Sequence, residues 1–142
     1  IAALIKTKFP EQQLKIWAGD KDLLQISTAP NLIFSADEIP AEWSNMVVEG
    51  SNGITFSSEI KDTILFEFSD VLSAAAMPKM DVIVARDLLS FQKPDDQERI
   101  LERFDETLKP GGVLVLGDNE DVVTSDGWEP VPDSPLSMYI HR

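Results

Sequence analysis

Two apolar runs on either side of an amphipathic segment constrain the fold of this chain more than any other feature. Residues 82–85 read VIVA and residues 113–116 read VLVL. Between them, Pro94 and two aspartates begin a segment with helical spacing, and residues 109–112 (KPGG) are expected to end it. Its apolar stripe comprises Ile100, Leu101, Phe104 and Leu108. Apolar strands that alternate with helices are typical of a parallel sheet covered on both faces, so the sequence predicts an α/β fold.

The rest of the chain continues this alternation around one insertion. The predicted helices are residues 1–9 and 21–29, and the predicted strands are residues 14–20, 63–72, 128–131 and 136–141. Over residues 31–62 the pattern changes, and Gly50-Ser-Asn-Gly53 separates two β-prone runs as a hairpin turn does. We therefore predict one domain over residues 1–142, with a small β insertion at residues 31–62.

Composition excludes several classes of function. Because 25 acidic residues outnumber 12 basic ones, the net charge of −13 repels phosphate backbones and makes nucleic acid a poor partner. The single histidine, His141, rules out a multi-histidine zinc site and argues against a Ser-His-Asp triad. No run approaches the roughly 18 apolar residues of a membrane span, and cysteine is absent. A soluble, cytoplasmic protein without membrane insertion or a metal site is expected.

Polar side chains follow the predicted strands at their carboxyl ends. These residues are Asp20, Asp70, Arg86, Asp87 and the segment 118–120. In open α/β sheets, ligands bind beyond the carboxyl ends of the strands. The sequence therefore predicts a ligand site at these strand tips.

Two of these strand tips have an alternative, purely structural interpretation. Asp20 is placed to accept hydrogen bonds from both hydroxyls of a ribose, but Asp20 and Asp22 could equally cap the following helix. Arg86 and Asp87 could form an ion pair at the rim of the core, and the pattern alone favours that interpretation.

Four blocks of the sequence resemble one protein family. DVIVARDLLSF (81–91), followed by a helix and LKPGGVLVLGDNED (108–121), is similar to DxIxCRNxxIYF and LxPGGxLxxGxxE of the chemotaxis receptor methyltransferases, the CheR family. Upstream, LKIWAGDKDLL (14–24) and ILFEFSDVL (64–72) resemble that family's second strand and its FxxxNLL strand end. LKPGG is shared by many methyltransferases, and the combination with ARDLLSF is the specific part.

The resemblance implies a fold, a cofactor and site residues. The fold would be that of a class I (Rossmann-like) methyltransferase, a mostly parallel sheet with a C-terminal antiparallel hairpin. By matching position, Asp20 would hold the ribose of S-adenosylmethionine, Asp70 and Val71 would contact its adenine, and Arg86 and Asp87 would face the cofactor and the reaction centre. The family methylates glutamates of chemoreceptors, which makes chemoreceptors or other chemotaxis signalling proteins the expected partners.

Four departures from the family pattern bear on catalysis. Asp70 and Asp87 stand where the family has asparagine, Phe91 replaces a tyrosine and Asp118 replaces a histidine. An ionised carboxylate only accepts hydrogen bonds, whereas an amide also donates them. These departures favour a non-catalytic sensor or scaffold module in chemotaxis, with an active protein-glutamate O-methyltransferase as the alternative.

The family's glycine-rich first strand and its N-terminal helical domain have no counterpart among these residues. In the family sheet that strand lies between the strands that residues 14–20 and 81–87 resemble. Unpaired backbone groups inside a sheet are unfavourable. We therefore expect the chain to be a fragment with an incomplete sheet. The alternative is a rearranged sheet, which could involve a partner chain such as a second copy in a homo-oligomer.

Overall fold

The computed structural model describes residues 1–73, 77–122 and 127–142. Their backbone contacts divide the chain into two compact units, Ile1–Asp70 and Val71–Arg142. None of the helices in these ranges is long and apolar enough to cross a membrane.

The first unit contains a parallel strand pair and an antiparallel hairpin. Its elements are α1 (Ala2–Lys8), β1 (Ile16–Asp20), α2 (Leu23–Thr28), β2 (Val47–Gly50), β3 (Gly53–Phe56), α3 (Ser58–Lys61) and β4 (Ile64–Phe68). β1 pairs in parallel with β4, and β2 pairs antiparallel with β3. The helices and strands predicted over residues 1–29, the strand within residues 63–72 and the hairpin turn at residues 50–53 are confirmed.

Aromatic side chains hold the hairpin onto the segment that precedes it. Phe34 forms a bridge with Ile54 of β3, and its ring lies edge-on to Phe56 at 5.6 Å between centroids. The ring of Trp43 lies 6.2 Å from the same phenylalanine. Trp43 is therefore a packing residue of the insertion.

The second unit is built on a four-stranded mixed sheet. Its elements are β5 (Met80–Ala85), α4 (Pro94–Thr107), β6 (Leu108–Leu116), β7 (Trp128–Pro130) and β8 (Met138–His141). The strand order is β5-β6-β8-β7, in which β5 and β6 are parallel and β8 is antiparallel to both of its neighbours. The predicted α/β class, with parallel strands and a C-terminal antiparallel hairpin, is confirmed.

The core of this unit lies on one face of the sheet. Leu114 and Leu116 of β6 are completely buried in one cluster with Ile100 and Phe104 of α4. Each such side chain contributes about 1.5–3 kcal/mol by leaving water. The apolar stripe that predicted the helix therefore holds α4 in place.

Two details of the sequence prediction are wrong. Leu108 is fully buried, but it is extended and begins β6 opposite Met80, so α4 ends at Thr107 without a glycine cap. The left-handed Gly111 (φ 78°) lies inside β6, beside a shift of register between the two strands. Pairing with β5 thus outweighs the helix-ending signal of the glycines.

β5 is also less buried than its apolar sequence predicts. Val82 and Val84 are 54% and 46% exposed, whereas the alternate residue Ala85 is buried. Side chains alternate between the two faces of a strand, so the exposed valines share the face opposite α4. Within the described ranges, β5 pairs with β6 alone, and β1 with β4 alone.

Candidate functional site

The turn after β5 carries two of the predicted site residues, Arg86 and Asp87. Asp87 adopts a left-handed backbone conformation, with φ 57°. Aspartate and asparagine are the residues besides glycine that most readily take this conformation. Leu89 is 3% exposed and anchors the short 3₁₀ turn Leu89–Phe91 in the core. The chain thus leaves the sheet through a sharp turn, and a buried leucine fixes the far end of that turn.

Glu120 binds this turn to the end of β6. Its Oε2 accepts hydrogen bonds from the backbone N–H groups of Asp87 at 2.8 Å and of Gly117 at 2.9 Å. Its Oε1 accepts a third from the N–H of Ser90 at 2.8 Å. The residue is only 5% exposed. One buried carboxylate therefore joins two strand tips through three hydrogen bonds from backbone N–H groups.

The protonation of Glu120 follows from these contacts. Burial by itself raises the pKa of a carboxyl group, because it disfavours the charged form. The backbone N–H groups of Ser90, Gly117 and Asp87, with a smaller contribution from Leu89, outweigh this effect and hold the pKa of Glu120 below its ordinary value. The side chain is therefore an anion at neutral pH, which is the form that can accept all three bonds.

Gly117 is required by the close approach of the two tips. A Cβ at this position would lie 2.7 Å from Asp87 Oδ1 and 2.9 Å from Glu120 Oε2. It would also lie 2.9 Å from the backbone nitrogen of Asp87. No side chain fits between the turn and the carboxylate.

Arg86 pairs with a partner other than the predicted one. In the described part of the chain, its Nη2 lies 3.4 Å from Asp118 Oδ1, and no ion pair links it to Asp87. The side chains of Arg86 and Asp118 are 48% and 69% exposed, so this pair contributes little to stability. The predicted Arg86–Asp87 ion pair is wrong, since the guanidinium pairs with Asp118, which follows the neighbouring strand β6.

In the first unit, Asp20 ends β1 and is exposed. Its Oδ1 accepts a hydrogen bond from the N–H of Asp22 at 2.8 Å, and Asp22 in turn caps α2 by accepting from the N–H of Leu24. Asp22 is therefore the helix cap, and Asp20 forms the turn that leads to it. A carboxylate oxygen can accept more than one bond, so Asp20 keeps acceptor capacity at the strand tip.

Asp70 and Val71 follow the tip of β4. The N–H of Ser69 donates to the carbonyl of Asp20 at 2.9 Å, which brings the ends of β1 and β4 together. Val71 packs against the buried cluster of the second unit. The structure thus groups Asp20 and Asp70 at the strand tips of the first unit, and Arg86 and Asp87 at a strand tip of the second.

Comparison with known proteins identifies the family. The family described as "CheR methyltransferase, SAM binding domain" matches residues 1–137. The chain belongs to the CheR family. The resemblance drawn from residues 14–120 is therefore confirmed, and S-adenosylmethionine is the cofactor of these CheR domains.

Individual relatives are consistent with this assignment. An uncharacterized 104.1 kDa protein from Rhodobacter capsulatus is 32% identical over 114 residues, which cover 78% of this chain and 12% of that protein. "Chemotaxis protein methyltransferase 2" from Vibrio cholerae is 28% identical over 125 residues, 81% of this chain and 43% of the relative. The chemotaxis protein methyltransferase of Vibrio anguillarum is 28% identical over 63% of this chain and 34% of its own. The CheR chain thus spans less than half of each relative.

A solved structure supports the fold. The N-methyltransferase NodS from Bradyrhizobium japonicum WM9 superimposes with a TM-score of 0.57 over 99% of this chain and 81% of its own, at 15% identity. At this identity the likeness shows the shared methyltransferase fold alone.

Each unit of this CheR chain has a strand-tip side chain whose chemistry suits the cofactor. Asp20 offers carboxylate acceptors of the kind that bind ribose hydroxyls, and Arg86 offers a half-exposed guanidinium at a strand tip. The sequence placed residues 118–120 at a strand tip but gave Glu120 no role of its own. Its signal was the glutamate that closes the motif LxPGGxLxxGxxE, three residues after Gly117.

Proposed function

We propose that this CheR domain binds S-adenosylmethionine and serves the transfer of its methyl group to glutamate side chains of a chemoreceptor. The observation that most supports this proposal is the conformation of the turn after β5, which Glu120 holds through hydrogen bonds. Because Asp87 occupies a left-handed position that suits both aspartate and asparagine, its departure from the family pattern preserves the backbone of the turn. The names of the chemotaxis relatives support the reaction and the receptor substrate.

Each predicted site residue has a role in this proposal. Asp20 accepts hydrogen bonds from the ribose hydroxyls, and Asp70 with Val71 contacts the adenine. Arg86 and Asp87 face the cofactor and the reaction centre. These roles are assigned by position in the family motifs and by the chemistry of the side chains.

The cofactor supplies an electrophilic methyl group on a sulfonium. In an in-line displacement, a receptor carboxylate oxygen would form a bond to the methyl carbon as the carbon–sulfur bond breaks and the neutral thioether leaves. The chain's own contribution is therefore to hold and orient the reacting groups. Arg86 supplies a permanent positive charge at the strand tip, which attracts an incoming carboxylate. Proton transfer is not required, because an ionised carboxylate is already a nucleophile.

The test uses the intact protein, meaning the product of the full reading frame that encodes these residues. We expect calorimetry to show binding of S-adenosylmethionine and of its demethylated product, and radiolabelled methyl groups to appear on receptor glutamates. Arg86→Gln should weaken transfer roughly tenfold or more, the equivalent of one charge-assisted hydrogen bond. Arg99→Gln is the matched control, since Arg99 is an exposed arginine of α4 paired with Asp96. Equal activity of the two variants would contradict the role of Arg86.

A sensor or scaffold without catalysis is the second candidate. The replacement of a family tyrosine by Phe91, which is 81% exposed, removes a hydroxyl from the same turn. Asp70 and Asp118 are further departures from the motifs. Cofactor binding without methyl transfer would favour a sensor. Absence of heat with either ligand would remove the sensor and leave a scaffold.

A further inference from the structure

Glu120 is a buried acid whose described hydrogen bonds to the turn of Arg86 and Asp87 come from backbone N–H groups. We propose that Glu120 is a positioning residue, which holds residues 86–90 in the conformation that presents Arg86 to the cofactor. This inference rests on the proposed function, because it assigns Glu120 to the same cofactor site.

The chemistry of the contact requires a carboxylate. Three N–H donors, from Asp87, Ser90 and Gly117, converge on two oxygens at 2.8–2.9 Å. A glutamine side chain has one acceptor oxygen and places an NH₂ donor at the other position. One of the three N–H groups must then face a donor. A neutral amide of the same shape therefore cannot reproduce the contact.

The geometry links Glu120 to the side chain of Arg86. On one side of Arg86, Ala85 is buried and paired with Leu116 in the sheet. On the other side, the N–H of Asp87 is bound to Glu120, and Asp87 takes the left-handed conformation. The backbone of Arg86 is thus fixed on both sides, while 48% of its side chain is exposed. A change at Glu120 releases the second of these two restraints.

The hydrogen bond from Ser90 restrains the end of the turn in the same way. Ser90 donates to Glu120 Oε1, and the next residue, Phe91, is 81% exposed. Glu120 therefore restrains the backbone on the far side of Arg86 and the backbone that precedes Phe91.

The test separates positioning from a loss of stability. Glu120→Gln is compared with Ile100→Val, which removes one methyl group from the completely buried core of the same unit and leaves the turn unchanged. Both variants of the intact protein are titrated by calorimetry with S-adenosylhomocysteine, the demethylated product, well below their unfolding temperatures. Amide hydrogen exchange of Asp87, Ser90 and Gly117 is measured by NMR on the ligand-free proteins.

We expect the glutamine oxygen to remain near Asp87 and Gly117, where it satisfies two donors, and its NH₂ group to face Ser90. In Glu120→Gln the Ser90 amide should therefore exchange faster, more than the other two amides, and affinity should fall roughly tenfold relative to the valine control. Unchanged exchange at Ser90, or equal affinity of the two variants, would overturn the positioning role. If the unaltered protein does not bind the ligand, the proposed function fails and this inference fails with it, a result distinct from a loss seen only in Glu120→Gln.

Discussion

Replacing Gly117 by alanine tests the close approach of the two strand tips directly. The added Cβ would lie 2.7 Å from Asp87 Oδ1, and 2.9 Å from both the Asp87 nitrogen and Glu120 Oε2. Two of these atoms belong to a backbone turn and a buried carboxylate, which cannot rotate away freely. The turn must therefore move away from β6, which lengthens the bonds from Asp87 and Gly117 to Glu120.

The magnitude follows from these two consequences. Overpacking of a well-packed site costs about 1–3 kcal/mol. A buried N–H group that loses its acceptor costs about another 1–3 kcal/mol. We expect Gly117→Ala to lower the free energy of unfolding by about 2–6 kcal/mol, where the lower limit applies if the turn shifts toward solvent.

Urea unfolding of the intact protein measures this difference, with Gly50→Ala as the matched control. At Gly50 an added Cβ meets only the carbonyl oxygen of Gly53, at an ordinary 3.5 Å. That variant should be neutral or slightly stabilised, because alanine restricts the unfolded chain. If Gly117→Ala unfolds within about 0.5 kcal/mol of the Gly50→Ala control, the typical spread of harmless substitutions, the tight contact inferred here is wrong.

Three further outcomes are expected. Because the pKa of Glu120 is lowered in the folded state, its contribution to stability is present above its ordinary pKa of 4.5 and is lost as the pH falls through the folded value. Between pH 6 and pH 3, urea unfolding should therefore show a steeper loss of unfolding free energy for the unaltered protein than for Glu120→Gln. Asp87→Val should cost about 1–2 kcal/mol in unfolding free energy, because φ is 57° at this position. Asp87→Asn should be nearly neutral, since asparagine tolerates this conformation. Similar unfolding free energies for the two variants would contradict the left-handed turn. Burial and a hydrogen bond to the Asp121 carboxylate raise the pKa of Tyr139. Asp121→Asn should therefore lower the midpoint of the Tyr139 titration, which is followed by ultraviolet absorbance of the phenolate. An unchanged midpoint would refute the contact.

The periodic elements were predictable because each is defined by local spacing. The stripe containing Ile100 and Phe104 predicts α4, and both residues are buried in the structure. The end of α4 was not predictable in the same way. Glycine signals favour a helix cap, but Leu108 gains a strand partner, Met80, that lies far away along the chain.

The candidate site, too, was predictable from the sequence only in part. Arg86 and Asp20 could be picked out because they follow apolar strands and match family motifs. The partner of Arg86 could not be predicted, since Asp118 is 32 residues away and becomes a neighbour only when β5 and β6 pair. Residues 118–120 were placed at a strand tip, but the role of Glu120 could not be predicted, because an acidic residue after a strand is expected to be exposed until its burial is known.

The sequence by itself determined the α/β class, the parallel strands, the hairpin of the insertion and membership of the CheR family. These depend on periodicity and on motif residues that stand close together in the chain. Only the tertiary structure decided that Glu120, Gly117 and Asp87 form one contact. The physical reason is that convergent backbone donors, and the absence of room for a Cβ, arise when two strand tips are brought together by the sheet.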